Sequence, residues 1–407
     1  MSSKNNSATK EIHLFILWEN SRHVEEKLLA DIESKFKVLK IYEVTWSKEK
    51  FSENLSRFYG AKLPPNARKE RHIGTGPFLA VIVEDKSPVY KVHATMQGNR
   101  KVNTNLFSTK EDHRAWAGGN SVHATNSVKE TNHDLTILFG KNTNDLVRGF
   151  SLKSGKHRQK WNHDIVGARG WENLKQLFYV LNNTVDYVVL RNFSHLPDDY
   201  YAKDHGDIDL LSSSYSETCF IANSEPVFKS KHRVHNRVLI NGEKIYFDFR
   251  SIGDNYYDEA WEKAMINRRV YNIKGYYVPS PNDHFYSLLY HGLIHKPEIS
   301  MDYIQTLSAA APDLGLKLSA PSFRSGGAVK ILSRFLKANG YGFTQPDDKS
   351  VYLHMGNVRI GQKQGVKFVK TKRIPLRNFL KKGKVPLKHY ALKARRVARG
   401  QLYKLGR

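Results

Sequence analysis

A chain of 407 residues exceeds what one ordinary hydrophobic core organises, so two or three domains are expected. No apolar run approaches the roughly 20 residues that cross a bilayer, and polar Met1–Lys10, expected to be disordered, lacks the apolar centre of a secretory signal. One cysteine, Cys219, excludes an internal disulfide and a cysteine-rich zinc site, and the chain reads as cytoplasmic. The net charge of +26 is uneven: 18 Lys and Arg follow Asp348 and no Asp or Glu does. A basic tail over 349–407 attracts phosphate, of nucleic acid or of an anionic membrane surface, unless it serves only as a solvated tail.

In chain order, Ile12–Trp18 reads as a strand and Arg22–Phe36 as a helix, with Val24, Leu28, Leu29, Ile32 and Phe36 on one stripe. Val38–Val44 is a second strand and Lys48–Phe58 a second helix. Gly76-Pro77 precedes a third strand, Phe78–Val83. This interleaving predicts an α/β sandwich with helices on one face of the sheet. The polar stretch 141–168 reads as a linker between a first domain at 11–140 and a second at 169–280. In the second, Trp171–Leu181 has helical spacing, and Val185–Leu190, Asp207–Leu211 and Lys244–Phe249 read as strands. A helical subdomain, 281–348, follows, with helices predicted over Pro281–His295 and Ser322–Ala338.

The chemistry centres on Asp207-Ile208-Asp209. On a strand these two carboxylates share a face while Ile208 and Leu210 enter the core. Like charges on one face repel, and a hard divalent ion, Mg²⁺ or Mn²⁺, relieves the repulsion through oxygen ligands. Asp248, set among Ile245, Tyr246, Phe247 and Phe249, supplies a third carboxylate where an unpaired charge is costly. Arg250, two residues on, shares its face and is placed for Asp248 or for a phosphate. The structural alternative is a set of surface carboxylates near a strand end.

These residues resemble the nucleotidyltransferase fold of DNA polymerase β-like enzymes, and within it the branch that transfers phosphocholine or polyol phosphate to surface glycans. The resemblance covers roughly Trp171–His295. It implies that Asp207, Asp209 and Asp248 hold the metal, with Asp248 completing the site or acting as catalytic base. Leu190-Arg191-Asn192-Phe193 stands where that family has a Gly-Ser or Gly-Gly turn, so Arg191 and Asn192 become the candidate nucleotide-binding donors, with Arg250.

Asn120-Ser121-Val122-His123-Ala124-Thr125-Asn126-Ser127-Val128 resembles the active-site segment of nucleoside diphosphate kinases. The resemblance implies a ferredoxin-like fold for 11–140. It matches His123 to the catalytic phosphohistidine, Asn120 to a ribose contact, Asp134 to the group that orients the histidine, and Arg114 and Thr104 to phosphate contacts. The first strand ends in Trp18-Glu19-Asn20, without that family's Lys. His123 is therefore read as a kinase nucleophile, as part of a nucleotide-binding domain or as a hydrogen-bonded structural histidine. His291 and His295, four apart on a predicted helix, read as packed histidines rather than ligands. Tyr200, Tyr201, Tyr256 and Tyr257 are core, surface or groove residues.

The fold class expected is thus α/β (α+β): a ferredoxin-like nucleoside diphosphate kinase-like domain, then a nucleotidyltransferase-fold domain with a helical C-terminal part. The function expected is a Mg²⁺-dependent nucleotidyl- or phospho-group transferase of surface glycan biosynthesis. Its donor would be a nucleoside triphosphate or nucleotide-linked group, its acceptor a glycan or lipid-linked hydroxyl, and its tail would rest on the inner face of the membrane. An RNA-modifying nucleotidyltransferase and a non-enzymatic scaffold of two decayed enzyme folds stay open as alternatives.

Overall fold

The computed structural model describes residues 10–95, 98–150, 157–199, 207–230, 232–324 and 326–369. Most of the basic tail, Tyr200, Tyr201 and Gly206 lie outside the described residues. Residues up to Val369 form one compact unit.

The first sheet is built from β1 (Glu11–Leu17), β2 (Lys37–Val44), β3 (Phe78–Asp85), β6 (Val122–Ala124) and β7 (Arg158–Trp161), in the order β6-β1-β3-β2-β7. β1 is antiparallel to both β3 and β6, and β3 to β2, which is the arrangement of two split βαβ units in a ferredoxin-like sheet. A hairpin of β4 (Tyr90–Thr95) and β5 (Gly98–Asn103) projects between β3 and the next helix. The stretch read as a linker instead contributes α6 (Thr143–Arg148) and β7, which lies parallel to β2.

Helices cover both faces of this sheet, not one. Leu14 and Ile16 of β1 face one core and Phe15 and Leu17 another, all fully buried. β1 and β3 are apolar at consecutive positions, the pattern of a strand covered on both sides, so one layer of helices leaves half of it wet. α1 (Glu25–Lys35) and α4 (Thr104–Trp116) bring Leu28, Ile32 and Leu106 to one face. α2 (Phe51–Tyr59) and α5 (Val128–Phe139) cover the other; the short α3 (Arg68–Ile73) closes its edge with Ile73.

The core beneath α2 and α5 continues into the second sheet. α7 (Leu174–Thr184), β8 (Tyr187–Val189), β9 (Asp207–Ser212), α8 (Tyr215–Ala222), β10 (Glu225–Pro226), β11 (His235–Ile240) and β12 (Glu243–Ser251) form a sheet ordered β10-β11-β12-β9-β8 with its helices. α7 starts at Leu174 and not Trp171 because the Asn173 side chain accepts from Gln176 N–H as its N-cap. Phe178, Tyr187, Ile208, Leu210, Phe247 and Phe249 join Leu14 and Ile16 in one cluster. Arg57 of α2, 3% exposed, donates to Phe220 O, Ile221 O and Val166 O at 2.8–3.0 Å. It thereby meets terminal carbonyls of α8.

The opposite face of the second sheet packs on α9 (Glu259–Asn267), α10 (Pro281–Ile294), α11 (Met301–Ala310), α12 (Ala320–Arg324), α13 (Gly327–Ala338) and α14 (Met355–Gln362). The continuous helix expected over Ser322–Ala338 is broken: Gly326 takes φ +76 between α12 and α13, a conformation open to glycine. No helix of the described residues is long and apolar enough to cross a membrane.

Candidate metal and substrate site

β9 and β12 are parallel neighbours with Asp209 opposite Asp248 and Asp207 opposite Tyr246. Alternation sends Ile208, Leu210, Phe247 and Phe249 into the shared core and turns Asp207, Asp209, Asp248 and Arg250 to the other face, toward the helical subdomain. One oxygen from each of the three carboxylates lies within 4.8 Å of the others. Asp209 and Asp248 are buried and Asp207 is exposed, so the group opens at one end.

A cavity of about 400 Å³ extends from the carboxylates and is lined by Arg191, Asn192, Tyr256, His291, His295 and Lys296, among others. Arg191 occupies the turn after β8, where Asn192 adopts φ +56 and Leu190 N–H bonds to Asp209 O. Its Nη2 donates to Asp209 Oδ1 at 2.5 Å, while its Nη1 is buried without a hydrogen-bond partner among the described residues. Arg250 lies 4.0 Å over the Tyr256 ring and 3.8 Å from both Asp248 and Asp254. Lys296 follows α10 and is exposed at the cavity edge. The site thus has a carboxylate wall and a cationic wall.

Burial, with Asp209 next in effect, pushes the Asp248 carboxyl up to about 7. Burial also raises Asp209, against the opposing pull of Arg191. Asp248 Oδ1 is buried and has no hydrogen-bond partner among the described residues. An all-oxygen donor set, one orphaned buried carboxylate oxygen and like charges within 4.8 Å together fit a hard divalent cation. Burial drives His291 and His295 well below the ordinary imidazole range, so both are neutral. His291 Nδ1 lies 2.6 Å from Tyr256 Oη, and both nitrogens of His295 are without a partner among the described residues.

The first domain is arranged differently. His123, on β6, places Nε2 2.8 Å from Asp134 Oδ2, and His133 Nδ1 lies 2.9 Å from Asp134 Oδ1. Burial alone would raise Asp134, but the two imidazoles hold it below the usual carboxylate range. Since an ionised carboxylate only accepts, Nε2 of His123 carries a hydrogen toward Asp134. Phe58 and Tyr59 stand edge-on to the ring at 5.6 and 6.1 Å. Arg114 is committed to Val122 O and Glu111, Asn120 is exposed, and Thr104 opens α4. His123, Glu130 and Asp134 also bring ligand atoms within 4.8 Å, though Glu130 already caps Asn126 N–H.

Sequence reasoning did not single out His235, Lys296, Tyr303 or the Asp348–Tyr352 segment, all at or beside the carboxylate cavity. For His235 a signal existed. Asn241-Gly242, both at positive φ, is a tight-hairpin dipeptide, and counting back from it pairs His235 with Asp248.

No family model and no curated protein matches the sequence. Among solved structures, a nucleoside diphosphate kinase of Aquifex aeolicus matches at 14% identity and a TM-score of 0.24, over 34% of this chain and 99% of that one. At that score the likeness carries no argument about activity.

Proposed function

We propose that the second domain is a Mg²⁺- or Mn²⁺-dependent transferase that moves a nucleotidyl or phospho group from a nucleoside triphosphate or nucleotide-linked donor to the hydroxyl of a glycan or lipid-linked acceptor. The observation that carries this reading is the convergence of Asp207, Asp209 and Asp248 within 4.8 Å on neighbouring parallel strands, beside a cationic wall. The glycan acceptor rests on the resemblance of the Asp207–Asp209 and Asp248 segments to glycan phosphotransferases.

In this reading Asp207, Asp209 and Asp248 would hold the cation. Once bound, it would offset charge on the transferring phosphate and lower the pKa of an attacking hydroxyl. The unpartnered Nη1 of Arg191, the exposed Lys296 and the Asn192 side chain would receive the donor's phosphates, in place of the backbone donors of a glycine turn. Arg250, fixed between Asp248, Asp254 and Tyr256, would keep the carboxylate wall in register and near neutrality.

The test is transfer from labelled CDP- or NTP-linked donors to polysaccharide or lipid-linked acceptors with added Mn²⁺. Product formed with the wild-type chain and absent with Asp209→Ala supports the reading. Transfer that requires added RNA overturns the glycan assignment.

A further inference from the structure

Between α9 and α10, β13 (Val270–Tyr271) and β14 (Tyr277–Val278) form a short antiparallel hairpin. Its connection, Asn272-Ile273-Lys274-Gly275-Tyr276, carries an isoleucine where turns favour glycine or a small polar residue. Ile273 is 99% exposed, and Tyr271 and Val270 just before it are 58% and 45% exposed. Single apolar residues on a surface are ordinary; three within four positions at one tip are not.

The tip is rigidly held. Asn272 N–H donates to Tyr276 O at 2.8 Å, Lys274 N–H to Asn272 Oδ1 at 2.8 Å and Gly275 N–H to Asn272 O at 2.9 Å. Gly275 takes φ +97, which only glycine adopts freely. From the body of the protein, the Asn182 side chain donates to Gly275 O at 2.8 Å. The tip in turn donates from Lys274 Nζ to Ser194 O at 2.7 Å and from Tyr276 Oη to Phe193 O at 2.6 Å. Ile273 joins none of the three buried clusters, so this bonding fixes an isoleucine in solvent. The stretch is also cationic: residues 264–282 hold Arg268, Arg269 and Lys274 and no Asp or Glu.

A convex tip of three side chains falls well short of the roughly 800 Å² that each partner brings to a stable protein interface. A second copy of this chain or a folded partner therefore has too little to hold. A bilayer surface requires no matching shape. Apolar side chains enter the headgroup boundary, tyrosine rests at its edge, and cations face anionic headgroups. So small an apolar contact binds reversibly, and stable attachment takes a second signal. The 18 Lys and Arg of residues 349–407 supply that signal by charge.

We propose that the β13–β14 hairpin is a membrane-docking tip, with Ile273 at the headgroup boundary of an anionic bilayer and Tyr271 and Val270 at its edge. The proposal goes beyond the transferase reading and stands without it, because the tip uses no residue of the carboxylate cavity. Through Lys274 and Tyr276 the tip is bonded to Phe193 and Ser194, which directly follow Arg191 and Asn192 of the cavity wall. Docking thus sets the segment that carries those two residues beside the bilayer.

The test is the fluorescence of a nitrobenzoxadiazole label on the full chain, at Ile273→Cys with Cys219→Ala in the background. A label at Val92→Cys, on the exposed side of β4, reports contact through another face. The vesicles are phosphatidylcholine alone or mixed with phosphatidylglycerol, each with and without a nitroxide-bearing lipid as quencher. With the anionic vesicles, the label at 273 is expected to shift to the blue and to be quenched, while the label at 92 does neither. In the otherwise native chain, Ile273→Asp is expected to weaken binding to the anionic vesicles by at least about tenfold. Its melting temperature is expected to match the wild type, since Ile273 packs on no core. Vesicle binding that leaves the label at 273 in water means that the tail binds alone and overturns the proposal. So do quenching at 92 but not at 273, and failure to bind anionic vesicles. A blue shift at 273 that grows with protein concentration in the absence of lipid assigns the tip to a second copy instead. None of these readings depends on Mn²⁺, so loss of the transferase assignment leaves them unchanged.

Discussion

The two candidate sites differ in how their polar groups are satisfied. Around His123, the Asp134 carboxylate is shared by two imidazoles, Arg114 is tied to Val122 O and Glu111, and Glu130 caps Asn126. Around Asp248, Arg191 Nη1, Arg250 Nε, Asp248 Oδ1, Asp348 Oδ2 and both nitrogens of His295 lack partners among the described residues. The first set bonds its charged groups to one another, and what it leaves without partners among the described residues are hydroxyls, those of Tyr59, Thr104 and Ser121. The second is a set of charges fixed by folding and without partners of their own, the pattern that the proposed preorganisation for a charged ligand would require. It is the kind of group left unpartnered, hydroxyls in the first site and charged groups in the second, that separates the two.

The comparison breaks most decisively at Asp209. On the proposed reading Asp209→Ala is expected to lower metal-dependent transfer by at least about 1000-fold, because it would remove a cation ligand and would leave the buried Arg191 without its counter-charge. Steady-state transfer rates check it. If transfer falls as far in His123→Ala and not in Asp209→Ala, the ranking of the two sites is reversed.

The next effect tests whether the two regions are one folding unit. Arg57→Ala removes the donor of three buried carbonyl contacts and is expected to cost about 3 kcal/mol of stability. Denaturant unfolding followed separately by Trp fluorescence and by far-UV circular dichroism checks it. A coincident wild-type transition that separates into two in the variant is the outcome expected.

A smaller effect comes from pH. The folded Asp248 carboxyl sits at about 7, above the ~3.9 of an unfolded aspartate. Its contribution is complete below pH ~4 and is lost as pH rises through 7, so the metal-free protein loses stability over that window. Asp248→Asn is expected to flatten this dependence and to stabilise the metal-free chain by about 1 kcal/mol at pH 8. Thermal melts at pH 5 and pH 8 with a chelator present measure it. The same competition between proton and cation predicts that Mn²⁺ affinity rises with pH up to about 7 and then levels. The smallest effect is expected from His123→Ala, which should change Mn²⁺ affinity by less than about twofold; isothermal titration checks it.

The carboxylate cluster was legible in the sequence because alternation on a strand is a local rule: Asp207 and Asp209 share a face whatever lies across from them. Asp248 was legible because a charge among aromatic residues is costly without a purpose. Arg191 was read as a phosphate donor, and the fold shows one side of its fork on Asp209, a pairing between residues 18 apart that no local period encodes. Asp348 was counted only as the last acid before the basic tail; its place beside His235 depends on how the helical subdomain returns to the second sheet. The helices on both faces of the first sheet were missed for another reason. Unbroken apolar runs in Leu14–Leu17 and Phe78–Val83 already imply burial on both sides, and the expectation followed the order of the elements instead of that pattern.

The central claim is that Asp207, Asp209 and Asp248 hold a divalent cation, and the most direct measurement is Mn²⁺ binding by electron paramagnetic resonance at pH 7.5. The wild-type chain is compared with Asp207→Ala/Asp209→Ala in the presence of each nucleoside triphosphate. The account predicts saturable Mn²⁺ binding by the wild type, tightened by one nucleotide and abolished in the double variant, whose fold is checked by circular dichroism. Equal Mn²⁺ binding by both proteins, or none by the wild type, would contradict it.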